Sequence, residues 1–469
     1  MTGSPQRLAP MDASFLQIET REAPTHVASL QIFSLPKNAP RDFVKNVVQT
    51  LRAPKVLARP WNLKLADTRL SRLAPAVVVD ASIDLDYHVR HSALPDPGGE
   101  RELGELISHL HGQLLDRSRP LWTCHVIEGL EGGRFALYCK MHHALVDGIR
   151  AMNLMTSCLG SEPGPGNWRA PWAPREAKAP AGADRTRSGA VTRRTRMSPV
   201  EWTRMIPRAF GPLFRRSADQ EPVLRPFEAP RCILNGPVTA ARRVATQRFE
   251  LDRVRRIAKQ AGASVNDVFL ALCASAVRRH LLESGALPDE SLITGVPVSL
   301  RDKHGDNDTG NAVGFVWASL ATDQTDPVER LRAIQRSVRA SKAHLDTLPP
   351  KARIAYTMAT MTPAIGLLLS GMGPRFKPPM NLVISNVPGP DKPLWLEGAR
   401  LEAMYPVSVL LQGLGLNITC VSYAGQLAVG FTGCRDGIPH LQRIAVFAAA
   451  ALEELESAVL GAVELKHRS

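Results

Sequence analysis

A chain of 469 residues is longer than one ordinary hydrophobic core organises, so two domains of about 150–250 residues are expected. With 44% hydrophobic and 22% charged residues the composition is that of a soluble globular protein, no run of about 18 uncharged apolar residues is available for a transmembrane helix, and Met1-Thr2-Gly3-Ser4-Pro5-Gln6-Arg7 lacks the apolar core of a signal peptide, which points to the cytoplasm. The net charge of +14 favours an anionic partner: nucleic acid, an acidic lipid surface or a polyphosphorylated substrate.

In chain order, 25–33 alternates like a strand and 40–52 has helical spacing, with Phe43, Val47, Val48 and Leu51 on one face. A helix follows over 102–115. Two strands, 120–127 and 135–141, are joined by the turn Glu131-Gly132-Gly133. A helix over 149–159 closes this half, which mixes helices and strands without a regular βαβ repeat. Composition then shifts. From Arg169 to Arg216 twelve Lys/Arg face three Asp/Glu, and the Ala/Gly/Arg/Pro-rich middle reads as a linker. At its end Trp202, Met205, Ile206, Phe210, Leu213 and Phe214 are interleaved with arginines, which suits either a membrane interface or docking on the protein's own surface; Pro207 and Pro212 prevent one continuous helix. The second half reads as strand 246–251, helices 251–261 and 265–283, strands 292–298 and 312–321, a basic helix 327–345, an acid-free Met/Leu/Gly/Pro-rich stretch 358–376, strands 380–387, 399–404, 414–423 and 427–431, and a closing amphipathic helix 439–460. The expected division is 1–160, a linker 161–225, and 226–469. The seven cysteines are odd in number and show no CxxC spacing, so buried reduced thiols are expected, with neither a disulfide framework nor a zinc site.

The chemistry concentrates at Met141-His142-His143-Ala144-Leu145-Val146-Asp147-Gly148, where a strand ends and a helix begins. A neutral imidazole suits proton transfer near neutrality, and a hydroxyl or amine attacking a thioester must lose a proton as it attacks. Adjacent residues of extended backbone face opposite sides, so one histidine can face a channel while the other braces the loop. Asp147 either orients the base or locks the loop by pairing with a cation, and Gly148 permits the turn into the helix. Rival chemistries lack their signatures: no third metal ligand or HExxH, no GxSxG elbow, and a Gly413-Leu414-Gly415 pair without the third glycine of a dinucleotide site.

The stretch His142-His143-Ala144-Leu145-Val146-Asp147-Gly148 resembles the HHxxxDG motif of CoA-dependent acyltransferases. Further blocks resemble one branch, the bacterial wax ester synthase/acyl-CoA:diacylglycerol acyltransferase family: Met11-Asp12-Ala13-Ser14-Phe15-Leu16, Pro120-Leu121-Trp122, Ser264-Val265-Asn266-Asp267-Val268, Val296-Pro297-Val298-Ser299-Leu300-Arg301 with Gly310-Asn311, Ser385-Asn386-Val387-Pro388-Gly389-Pro390, and Leu416-Asn417-Ile418 with Ser422-Tyr423. They stand in the family's order over about residues 9 to 450.

The resemblance implies an α/β protein with mixed sheets, built from two chloramphenicol-acetyltransferase-like domains that enclose an active-site tunnel. It implies acyl-CoA as donor and substrate, with no further cofactor, and a long-chain alcohol or diacylglycerol as acceptor. His143 would be the general base, His142 its support, and Asp147 a brace paired with Arg301. Asn266 would position substrate or the developing oxyanion, a helix cap being the plainer alternative for it, and Asp267 matches the same block. The chain departs from the family at His440, where an acid is expected. One base without a nucleophile motif points to direct transfer in a ternary complex. The positive charge then answers to the phosphates of CoA and to peripheral contact with an anionic membrane or lipid-inclusion surface, on the inner face of the plasma membrane, rather than to nucleic acid. The rival functions are a condensation-type enzyme using carrier-protein thioesters and a non-catalytic lipid-binding homologue.

Overall fold

The computed structural model describes residues 4–67, 74–174, 222–299, 313–370 and 376–466. The first half runs β1 (Gln6–Arg7), α1 (Pro10–Ile18), β2 (His26–Ser34), α2 (Phe43–Arg52), β3 (Leu63–Leu65), β4 (Ala76–Val79), α3 (Leu85–His88), β5 (Val89–Ala93), α4 (Glu100–Gly112), β6 (Trp122–Leu130), β7 (Arg134–His142) and α5 (Gly148–Thr156). The second half runs β8 (Arg242–Glu250), α6 (Leu251–Gln260), α7 (Val265–Glu283), β9 (Ile293–Ser299), β10 (Val313–Ser319), α8 (Pro327–Asp346), α9 (Pro350–Ser370), β11 (Leu382–Val387), β12 (Trp395–Leu396), β13 (Ala399–Val407), β14 (Leu416–Tyr423), β15 (Gln426–Cys434) and α10 (Gln442–Lys466). Arg301, Gly310-Asn311 and the Arg-interleaved segment 202–216 lie outside the described residues.

Alternation along β7 explains its place. Phe135, Leu137, Cys139 and Met141 belong to one core, with α2 and the tryptophans, while Ala136 and Tyr138 belong to another beneath α4. A strand buried on both faces is central, and β7 lies inside a six-stranded sheet of order β12-β13-β2-β7-β6-β5. Gly132 and Gly133 carry φ of +73° and +66° in the β6–β7 turn, a region that costs glycine least. The second sheet has order β10-β9-β11-β14-β15-β8. Over it lies α7, which is apolar almost all round because α6, α8 and α10 enclose it.

The two halves are not self-contained. β13, from the second half, pairs antiparallel with β2 of the first, setting Met404 opposite Gln31 and Pro406 opposite Ser29. Where this strand packs against the second sheet, β15 passes so close that a Cβ on Gly430 would run into the Pro406 carbonyl. The beginning of the expected linker is also ordered into the first half: Trp172 is fully buried, stacks on Trp122 at 4.7 Å and donates to Leu51 O, and Trp168 donates to Glu397.

Of the stretch 358–376, residues 358–370 form the later part of α9, which continues through Pro363 to Ser370, and 371–375 lie outside the described residues. None of the seven cysteines forms a disulfide; six are buried and Cys232 is half-buried. Among the described residues no single helix is long and apolar enough to cross a membrane.

Candidate active site

The loop after β7 is held by backbone bonds from three directions. His142 N–H donates to Leu121 O, His143 N–H to Thr25 O, and Leu145 N–H to His142 O, each at 3.0 Å. Leu121 belongs to the Pro120-Leu121-Trp122 block, which therefore sits directly under the histidines; Trp122 anchors it by stacking on His88 and donating to Trp61 O.

The two histidines turn apart. His142 is buried, and its Nδ1 accepts the Ala144 N–H at 3.1 Å. Its Nε2 lies 3.1 Å from Thr25 Oγ1 and 3.3 Å from Glu19 Oε1. Burial pushes the Glu19 carboxyl up, but His142, the Thr25 N–H and Arg117 outweigh it and hold the group at about 2. His143 stacks on Phe15, ring centroids 3.9 Å apart and 17° from parallel. Its Nδ1 is buried with no partner in another residue. Burial pulls the imidazole down, its own carbonyl and Asp147 pull the other way, His142 adds to the fall, and the net value is about 4. The ring is therefore neutral at physiological pH and able to accept a proton.

Asp147 is buried and caps α5, its carboxylate accepting the Arg150 N–H at 2.7 Å. Its expected partner Arg301 is not among the described residues. Gly148 does not serve the turn as expected: it begins α5 in helical backbone, and a Cβ there would meet nothing within 4 Å. Its place is on the wall of a cavity instead. At α7 the cap is made by Ser264 and Asp267, which bond each other's side chain and backbone. Asn266 is left out of that cap, and its Nδ2 is buried without a partner among the described residues. Among the described residues no hydrogen bond joins Asn266 or Asp267 to the loop, so each half presents its own polar group.

A cavity of about 70 Å³ lies between the two sheets. Met141 and Gly148, which bracket the loop, line it with Val27 and Ser29 of β2, Met152 and Met155 of α5, and Val387, Met404 and Val421 from the second half. The volume is well below the roughly 300–1,000 Å³ of a pocket that holds a ligand. Four of the lining residues are methionines, whose unbranched side chains repack readily. Among the described residues no cluster of His, Cys, Asp and Glu is placed to hold a metal ion.

Three contributors escaped the sequence reading: Phe15, Glu19 and Thr25. Phe15 lay in a recognised block without an assigned role. Thr25 and Glu19 were legible only through the β2–β7 register, which sets His26 opposite His142. The other blocks have visible structural work. A Cβ on Gly389 would run into Ser422 O, and Tyr423 accepts from Leu394 N–H and donates to Leu401 O, so both secure the chain as it crosses toward the first sheet. His440, the departure from the family pattern, has φ +56°, a left-handed position that histidine, like Asp and Asn, occupies more readily than most residues.

The wax ester synthase/diacylglycerol acyltransferase catalytic domain matches residues 8–269, and the corresponding C-terminal domain matches 309–456. The O-acyltransferase WSD of Acinetobacter baylyi is 37% identical over 466 residues, covering 98% of this chain and 99% of the relative. The solved wax ester synthase/diacylglycerol acyltransferase of Marinobacter aquaeolei VT8 is 36% identical, with TM-score 0.78 over 97% of this chain and 99% of that one. A trichothecene 15-O-acetyltransferase from Fusarium sporotrichioides shares the fold, at 11% identity and TM-score 0.61 over 97% and 95% of the two chains.

Proposed function

Because the chain belongs to the wax ester synthase/diacylglycerol acyltransferase family, we propose that His143 is the general base of its reaction and that the cavity beside Met141 and Gly148 admits a substrate hydrocarbon chain. The protein is an acyl-CoA-dependent O-acyltransferase. It transfers an acyl group to a fatty alcohol, giving a wax ester, or to diacylglycerol, giving a triacylglycerol.

The observation that carries the assignment is the contrast between the two rings. Both nitrogens of His142 are engaged by Ala144, Thr25 and Glu19, whereas His143 is a neutral, half-buried ring against which, among the described residues, a phenyl face is stacked. In the reaction, His143 takes the proton of the acceptor hydroxyl as its oxygen attacks the thioester carbonyl. The tetrahedral intermediate collapses with cleavage of the C–S bond, and the proton passes to the departing CoA thiolate. Asn266 is the candidate donor to the oxyanion, since its buried Nδ2 has no other partner among the described residues. Asp147 holds the start of α5 and so the end of the loop. Admission of a long chain requires the methionine walls to part.

Turnover of His143→Ala with palmitoyl-CoA and hexadecanol tests the assignment. A general base contributes about 10²–10⁴-fold; activity within about tenfold of the parent would remove His143 from that role. Contact with an anionic lipid surface is the further part of this reading, supported by the net charge of +14 and the basic, aromatic-rich 202–216. Vesicle co-sedimentation that weakens with salt and with Arg→Glu changes in that segment is the expected result, and salt-independent binding would oppose it.

A further inference from the structure

We propose that Glu19 is a positioning residue for acyl transfer: its buried carboxylate fixes which nitrogen of His142 carries the proton, and so holds the turn that presents His143. This rests on His143 being the base.

The hydrogen bonds around His142 agree on one tautomer. Nδ1 accepts from the Ala144 N–H at 3.1 Å. That needs a lone pair on Nδ1, which the imidazolium and the Nδ1–H tautomer both lack. On the other side, Thr25 Oγ1 spends its own proton on Phe15 O at 2.9 Å, so toward His142 it can only accept. Glu19 Oε1, 3.3 Å from Nε2, is an acceptor as well. Nε2 therefore carries the hydrogen.

Glu19 is itself fixed. Its side chain is 3% exposed, Oε1 accepts the Thr25 N–H at 3.0 Å, and Oε2 accepts from Arg117 Nη2 at 2.8 Å. Arg117 also donates to Leu16 O, tying the end of α1 to the same cluster. The Arg117 guanidinium balances the carboxylate that faces His142. Without that anion the Nδ1–H tautomer becomes accessible. It would set a donor against the Ala144 N–H donor and release the 142–145 turn. His143 would then lose its orientation, although neither Glu19 nor His142 lines the cavity. The effect belongs in kcat and not in substrate affinity.

The test uses the full chain carrying Glu19→Gln, which keeps the shape but removes the charge and sets an amide donor against Arg117. Because 13 histidines are present, ¹⁵N-histidine spectra are compared with those of His142→Ala to assign the His142 ring. The expected result is a single Nε2–H signature in the parent and a tautomer mixture in Glu19→Gln. With it, kcat falls about 10–100-fold, the range for partners that orient a functional imidazole, while KM for palmitoyl-CoA and hexadecanol stays within about twofold. Added to His142→Ala, Glu19→Gln should cost less than about a further twofold. An unchanged His142 signature, a loss expressed in KM, or a full additional loss in the His142→Ala background would each overturn the proposal. If Glu19→Gln does not fold, Glu19→Asp carries the same readouts: it keeps the charge but withdraws it by one methylene, so kcat falls several-fold at unchanged KM, and an unchanged kcat overturns the idea. Failure of the base assignment appears separately, as retained activity in His143→Ala, because the tautomer readout does not depend on turnover.

Discussion

Replacing Phe15 with alanine probes what keeps the His143 imidazole neutral. The phenyl ring lies 3.9 Å from the imidazole and nearly parallel to it, closing one face to water. Burial is the largest cause of the low value of about 4. Opening that face restores hydration to the charged form, so the acid limb of kcat/KM must move up, toward the ordinary histidine value of about 6.5. If it reaches about 6, only about one-tenth of the rings are neutral at pH 5, against about nine-tenths in the parent, which is a loss of about tenfold from protonation alone. At pH 8 both proteins are essentially neutral and this loss vanishes. Any residual deficit there measures lost orientation, for which a stacked aromatic pair is worth about 0.5–1.5 kcal/mol. The assay is initial-rate CoA release from pH 4.5 to 8.5, with Phe15→Leu as a control that retains an apolar cover. A Phe15→Ala profile that superimposes on the parent after a constant scaling would refute the idea that the phenyl ring sets the titration.

Other changes separate chemistry from scaffold. Asn266→Ala should leave the melting temperature nearly unchanged, since Nδ2 has no partner to lose, yet lower kcat about 10²–10³-fold if that amide meets the oxyanion. Asp267→Ala should do the reverse, removing the bonds to Ser264 and about 1 kcal/mol of stability, read by urea denaturation, with a smaller effect on turnover. Glu19 has a folded value of about 2 against 4.5 for the free group, so its stabilisation is present above pH 4.5 and lost as pH falls toward 2; about 3 kcal/mol is at stake, and acid denaturation should be steeper in the parent than in Glu19→Gln. Gly430→Ala should give poorly folded protein, because the added methyl meets a backbone carbonyl that cannot step aside; a parent-like melting curve would show that the sheets are less tightly apposed there.

Local signals reported local structure well. The β6–β7 and β14–β15 hairpins follow from alternation and turn residues, and α7 from its capping residues and apolar run. The partner of β13 was not legible, because its apolar alternation fits any edge with a matching face, and the edge it found lies over 360 residues away in sequence, on β2. The short β3–β5 region, with Arg90 and His91 inside β5, carries too few residues for a period to emerge. Composition misdirected the reading of 161–174. Prolines and glycines there suggest the start of a linker, but burying one tryptophan removes about 150–250 Å² from water, worth about 4–6 kcal/mol, and Trp172 outweighs its neighbours. At the site the motif located the loop but could not divide the work between adjacent histidines. That division depends on Phe15, Glu19 and Thr25, which reach the loop through strand register.

The crossing of β13 bears on how substrates enter and leave. Two lobes joined by a single tether can swing apart like jaws and expose everything between them. Here one lobe's chain is woven into the other's sheet through a nine-residue strand, and the seam is closed at Pro406 and Gly430. Parting the lobes would mean breaking a ladder of backbone hydrogen bonds at every turnover. A hydrocarbon chain that occupies the proposed cavity has therefore to pass its four lining methionines while the seam stays closed.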